Sequence, residues 1–178
     1  MSDTPKEFYL DKSDPAAWAA FGALSKQAGE SARAAGLDDQ LIELVCLRIS
    51  QINGCAYCLK VHTKRAIKAG LSENRRALVS VWEESSEYSL TEKAALFLAE
   101  TVTKLPCPED RDFARTYARG VLTDEQYSAV QWLAISMNAT LENPLVAERN
   151  KDGRGAYEIF ADSSGTPATC TRLSGCAF

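Results

Sequence analysis

Apolar residues recur at helical spacing over nearly the whole chain, and each run is bracketed by residues that start or stop a helix. That pattern constrains the chain to an all-α fold. Asp14 followed by Pro15 forms an N-cap and N1 pair, after which Trp18, Phe21 and Leu24 recur at three-residue spacing. This predicts a first helix to about Ala35 with Gly36 as its stop. A second helix follows Asp38 and Asp39, carries Leu41, Ile42, Leu44, Val45, Leu47, Ile49 and Ile52, and ends at Gly54. A third begins near Cys55 and stops at Gly70. Ser72 caps a fourth through about Trp82, and the polar stretch from Glu83 to Ser89 reads as a loop. Thr91 opens a fifth helix that runs to the break at Pro106-Cys107-Pro108. A short sixth helix from Asp110 to Arg119 ends at Gly120, and Thr123 with Gln126 forms a capping box for the apolar stretch Tyr127 to Leu141. Asn143-Pro144 should stop that helix. Helices two and three are expected to form a hairpin about Gly54 in a compact multi-helix domain over 1–160. Residues 161–178, rich in Ser, Gly and Thr, read as a flexible tail.

No apolar run approaches the roughly 18 residues that a membrane span needs. The polar, acidic start from Met1 to Glu7 does not resemble a signal peptide. Cys176 lies third from the end, so the four-residue prenylation pattern is absent. A net charge of −4, with no dense Lys/Arg block, gives no electrostatic reason to expect nucleic acid. Lys64, Arg65, Lys68, Arg75 and Arg76 read as solvated helix faces. The expectation is a cytoplasmic protein without membrane or nucleic-acid partners. In such a chain, 6 cysteines (Cys46, Cys55, Cys58, Cys107, Cys170 and Cys176) point to catalysis or metal binding rather than to a disulfide framework.

Cys55-Ala-Tyr-Cys58 stands where the third helix starts. First-turn N–H groups and the helix dipole favour anions, so a thiolate there is stabilised. The i, i+3 spacing puts both sulfurs on one face, within reach of a disulfide. His62 falls on the same stripe, one turn beyond Cys58, and is the only histidine (His 1) in the chain. An imidazole there can accept the thiol proton directly or through one water. Glu43 lies in a helix that is apolar almost all round, where an ionised carboxylate needs a partner. In a hairpin folded at Gly54, Glu43 lies roughly 16 Å from the turn and His62 roughly 12 Å, at about 1.5 Å per residue, so contact is geometrically possible. A carboxylate beside the imidazole would fix its tautomer and raise its basicity.

Two other readings use the same residues. Cys55, Cys58 and His62 could be three zinc ligands of a non-enzymatic module, with Cys46, Cys107 or Glu43 as the fourth. No second Cys-x-x-Cys and no second histidine completes a regular site, and no cofactor is expected. The helix after Thr123 carries Leu133, Ala134, Ile135 and Met137, apolar on several faces, which suggests oligomerisation.

The pattern Glu43-x(11)-Cys55-x-x-Cys58-x(3)-His62, with the phrase Gln51-Ile-Asn-Gly-Cys-Ala-Tyr-Cys58 and then Ala69-Gly70, resembles the alkylhydroperoxidase D-like group of the carboxymuconolactone decarboxylase family. The similarity covers about residues 15 to 145. It implies an all-helical homotrimer or homohexamer that reduces hydroperoxides. Cys58 matches the peroxidatic thiol, Cys55 the resolving one, His62 the relay histidine and Glu43 the distal carboxylate. A dithiol reductant, such as a lipoyl-bearing protein, would restore the pair. Tyr57 stands where some members carry a second histidine, and it could line the mouth of the site. The family also contains lactone decarboxylases, but these need no cysteine pair. Cys170 and Cys176 fall outside the resemblance.

Overall fold

The computed structural model describes residues 10–139, and every regular element among them is helical. The expected stop at Asn143-Pro144 and the segment 161–178 with Cys170 and Cys176 lie outside the described residues. A short α1 (Leu10–Ser13) precedes α2 (Pro15–Ala34), α3 (Asp39–Ile52), α4 (Ala56–Lys68) and α5 (Glu73–Leu78). A single 3₁₀ turn, Val79–Val81, and a loop then lead to α6 (Leu90–Lys104), α7 (Pro108–Val121) and α8 (Asp124–Ala139).

The helix starts follow side-chain chemistry. Asp14 accepts from the Ala17 N–H with Pro15 at N1, and Asp38 accepts from the Leu41 N–H. Thr123 and Gln126 exchange hydrogen bonds at the start of α8, as the capping box requires.

Three helix ends share one geometry. Gly36, Gly54 and Gly70 hold φ values of 81°, 62° and 86°. In each case the glycine N–H returns to the carbonyl three residues back. The following N–H reaches five back: Leu37 to Ala32, Cys55 to Ser50 and Leu71 to Ala66. This is the Schellman closure, which needs a left-handed residue at the glycine and places an apolar side chain just after it. Leu37 and Leu71 fill that position and are buried. At the middle turn the position belongs to Cys55.

Three expected boundaries move. The fourth helix does not stay α-helical to Trp82; it tightens into the 3₁₀ turn after Leu78. The fifth begins one residue earlier than Thr91, because Ser89 and Glu92 form a reciprocal capping box. Gly120 does not end the sixth helix. The Leu122 N–H still bonds to the Ala118 carbonyl and Leu122 is buried, and that burial, worth about 1.5–3 kcal/mol, outweighs the ~1 kcal/mol cost of a helical glycine.

The core is organised about α3, whose residues from Leu41 to Leu47 are all buried and which packs against α4, α6 and α8. Pairing of α2 with α8 and of α6 with α7 completes the bundle. The start of α2 behaves differently: Trp18 and Phe21 are only half-buried, their rings 5.9 Å apart, and Leu24 is exposed. On α8, Leu133, Ala134 and Met137 are buried in the chain's own core, so of the residues expected to signal oligomerisation only Ile135 faces outward, beside the exposed Trp132. No helix among the described residues is long and apolar enough to cross a membrane.

Candidate active site

The turn at Gly54 makes one residue do two tasks. The Cys55 N–H closes α3 by bonding to the Ser50 carbonyl at 3.1 Å, and Cys55 is also the N-cap of α4, its sulfur accepting the Cys58 N–H at 3.2 Å. A short polar cap here would be Ser, Thr, Asp or Asn; this chain uses a sulfur. Cys55 and Cys58 are joined as a disulfide with their Cα atoms 5.3 Å apart, within the range such bonds require. Cys58 is buried, while Cys55 and Tyr57 are half-buried, so an incoming thiol meets Cys55 first.

His62 follows one turn beyond Cys58 and is also buried. Its Nδ1 lies 2.7 Å from Glu43 Oε2 on α3. An ionised carboxylate can only accept, so this contact puts the imidazole proton on Nδ1 and leaves Nε2 as the basic position. Both partners are close to fully buried, with side-chain exposures of 9% and 12% for His62 and Glu43. The carboxylate on this apolar helix therefore has the partner it needs, across the hairpin.

The remaining cysteines are placed differently. Cys46, one turn beyond Glu43, is buried; burial above all, and then the Glu43 carboxylate, push its thiol far above the usual range, with Arg65 opposing weakly. It remains a protonated thiol, poorly suited to ligate or attack. Cys107 precedes α7, which packs on α6 and α8, whereas α4 packs on α3. Among the described residues no group of three or more His, Cys, Asp or Glu side chains is placed to hold a metal ion.

Two contributors carry no signal in the motif pattern. Ser50 is fully buried at the base of the turn; its carbonyl holds the Cys55 N–H and its hydroxyl donates to the Cys46 carbonyl at 2.7 Å. Asn53, the C-cap of α3, reaches α8 through its side chain. Gly54 reads as the helix stop from sequence, but the long-range partner of Asn53 does not.

Comparison with known proteins gives three findings. The model of the carboxymuconolactone decarboxylase family matches residues 15–101, which include all four residues of the motif. An uncharacterized protein of Bacillus subtilis (strain 168), YdfG, is 41% identical over 85 residues, or 48% of this chain. The match spans only 58% of that relative's own length. A crystal structure from Agrobacterium tumefaciens, described as a protein of unknown function and a candidate antioxidant defence protein AhpD, aligns with a TM-score of 0.65. It is 32% identical and covers 76% of this chain and 90% of its own.

Proposed function

Since this chain belongs to the carboxymuconolactone decarboxylase family, as an alkylhydroperoxidase D-like member, we propose that it is a thiol-dependent peroxidase in which Cys55 and Cys58 cycle between dithiol and disulfide. The observation that carries this reading is the alignment of the disulfide with the buried His62–Glu43 pair one helical turn away.

The cycle begins with the Cys58 thiol giving its proton to His62 Nε2, directly or through one water, while Glu43 steadies the resulting imidazolium. The thiolate attacks the outer oxygen of a hydroperoxide, ROOH. An S–O bond forms, the O–O bond breaks, and RO⁻ leaves as the alcohol ROH with a proton returned by the imidazolium. Cys58 is now a sulfenic acid. The Cys55 thiolate attacks the Cys58 sulfur, hydroxide leaves and takes a proton as water, and the disulfide closes. A dithiol reductant then attacks the half-buried Cys55, releases Cys58, and departs as its own disulfide. A lipoyl-bearing protein has the chemistry this last step needs. The exposed Trp132 and Ile135 support the homotrimer or homohexamer that the sequence resemblance implies.

The decisive experiment starts from the reduced protein, adds one equivalent of organic hydroperoxide, counts thiols and maps any disulfide by peptide analysis. Loss of two thiols, mapped to Cys55–Cys58, is expected, together with a trappable sulfenic acid in Cys55→Ser and no peroxide consumption in Cys58→Ser. Full peroxide turnover by Cys58→Ser would overturn the assignment.

A further inference from the structure

The turn that bears Cys55 is fastened to α8 and α6 by a hydrogen-bond chain that starts from its C-cap side chain, Asn53. Asn53 Nδ2 donates to Asn138 Oδ1 on α8 at 2.8 Å. Asn138 Nδ2 donates in turn to Thr103 Oγ1 on α6 at 3.2 Å, and the Thr103 hydroxyl donates to the Ala99 carbonyl at 2.7 Å. All three side chains are half-buried. Each link pairs a donor with an acceptor, so the links support one another.

The comparison within the molecule isolates the feature. The three Schellman turns share their backbone bonds and their glycine, but the C-cap residue is Ala35 at the first and Ala69 at the third. Neither alanine can make a side-chain hydrogen bond. Those turns instead bury the leucine that follows the glycine, and at the third the Leu71 carbonyl also accepts from the Arg76 guanidinium. The middle turn has a cysteine in that place, and a cysteine that must change partners makes a poor permanent anchor. Asn53 supplies the fixation that Leu37 and Leu71 supply elsewhere.

We infer that Asn53, Asn138 and Thr103 are positioning residues that hold the Cys55 turn against α8 and α6 and thereby set the equilibrium between the Cys55–Cys58 disulfide and its dithiol. The inference rests on the redox reading above. With the turn fastened, opening the disulfide releases little backbone freedom, so the reduced state gains little entropy and the two sulfurs remain at high effective concentration. With the turn released, the dithiol gains that freedom. The disulfide then becomes easier to reduce, and Cys55 closes more slowly on oxidised Cys58.

The test equilibrates the full chain in glutathione buffers and measures the fraction of Cys55–Cys58 disulfide, at a temperature where circular dichroism shows every variant folded. Asn53→Ala and Asn138→Leu should each lower the oxidation equilibrium constant about fivefold, the effect expected from one or two hydrogen bonds. The double variant should go no further than either single one, because each breaks the same chain. Asn138→Asp, which keeps the acceptor for Asn53, should stay nearer the wild-type value. Should Asn138→Leu not fold, Thr103→Val removes the far link and should shift the constant in the same direction. Folded single variants with the wild-type constant, or additive effects in the double variant, would overturn the anchor while leaving the redox reading intact. A wild-type pair that never exchanges with glutathione would sink the redox reading, and this inference with it.

Discussion

Glu43 and His62 meet at 2.7 Å across the α3–α4 hairpin although 19 residues separate them in the chain. The contact depends on the turn at Gly54 having a fixed geometry, since a shift of one residue in either helix would rotate one partner by about 100° away from the other. The Schellman bonds at Gln51 and Ser50 supply that geometry. The same bonds place Cys55 at the head of α4, so the sulfur pair and the His62–Glu43 contact are positioned by one local structure.

Replacing the carboxylate while keeping its shape should separate its electrostatic part from its packing part. Glu43→Gln is expected to lower kcat/KM for hydroperoxide about 10- to 100-fold, the usual effect of removing a group that orients a working histidine. The amide can still accept from Nδ1 but no longer stabilises the imidazolium. The protein should remain folded, which circular dichroism would verify alongside a steady-state peroxide assay. A variant with the wild-type rate would reduce the pair to a structural contact.

Cys46 supplies a contrast within the same hairpin. Burial, reinforced by Glu43, raises the pKa of its thiol and so disfavours the thiolate. In the reduced native protein, iodoacetamide at pH 8 should label Cys55 readily and Cys46 only after unfolding, as read by peptide mass. Cys46→Ala should leave peroxide-driven thiol loss unchanged. Labelling of Cys46 at the rate of Cys55 would show that the α3 face opens in solution.

Gly54 and Gly36 allow backbone strain to be separated from redox effect. Both hold positive φ, 62° and 81°, and a Cβ added at either would meet nothing within 4 Å. Gly→Ala should therefore act through the backbone alone, destabilising each variant by about 1–2 kcal/mol in urea unfolding. Only Gly54→Ala should also slow closure of the Cys55–Cys58 disulfide after peroxide addition. Equal closure rates in the two variants would mean that the geometry of the turn does not matter to the thiols.

Local chemistry was the legible part of this molecule. Asp14-Pro15, the three glycine stops and the Thr123–Gln126 box each signal through residues a few positions apart, and each stands where it was expected. The hairpin was legible for the same reason, because two helices and one short turn leave little freedom. Features that depend on distant partners were not. Glycine at 120 reads as a stop until Leu122 is seen to be buried beyond it. Asn53 has no role legible from its neighbours, because its partner Asn138 lies 85 positions away. Nothing in the sequence pairs Arg48 with Glu100, 52 positions apart. The expected helical stripe of Trp18, Phe21 and Leu24 is present but lies largely outside the core, since periodicity reports which residues share a face and not what that face meets.

Glu100 is the buried acid whose role is structural, and it yields a prediction about pH. Burial alone would raise its pKa, but hydrogen bonds from Arg48, Lys104 and Trp82, together with the Arg48 charge, outweigh burial and hold it below the usual carboxylate range. Arg48 Nε lies 2.5 Å and Trp82 Nε1 2.7 Å from Oε1, while Lys104 bonds Oε2. A carboxyl with a lower pKa folded than unfolded contributes stability that is fully present above the unfolded value, about 4.3. That contribution is lost as pH falls through the folded value. Glu100→Gln leaves Arg48, with a side chain only 15% exposed, without its counter-charge, so at pH 7 the variant should be less stable by about 3–5 kcal/mol. As pH falls from about 4.3 toward 3 the wild type should lose stability that the variant does not have to lose, and the gap should narrow. Urea unfolding of both proteins from pH 7 to pH 3 measures this directly. A gap that stays constant across that range would mean the carboxylate acts through shape and hydrogen bonding alone, and that its charge does not stabilise the junction of α3 and α6.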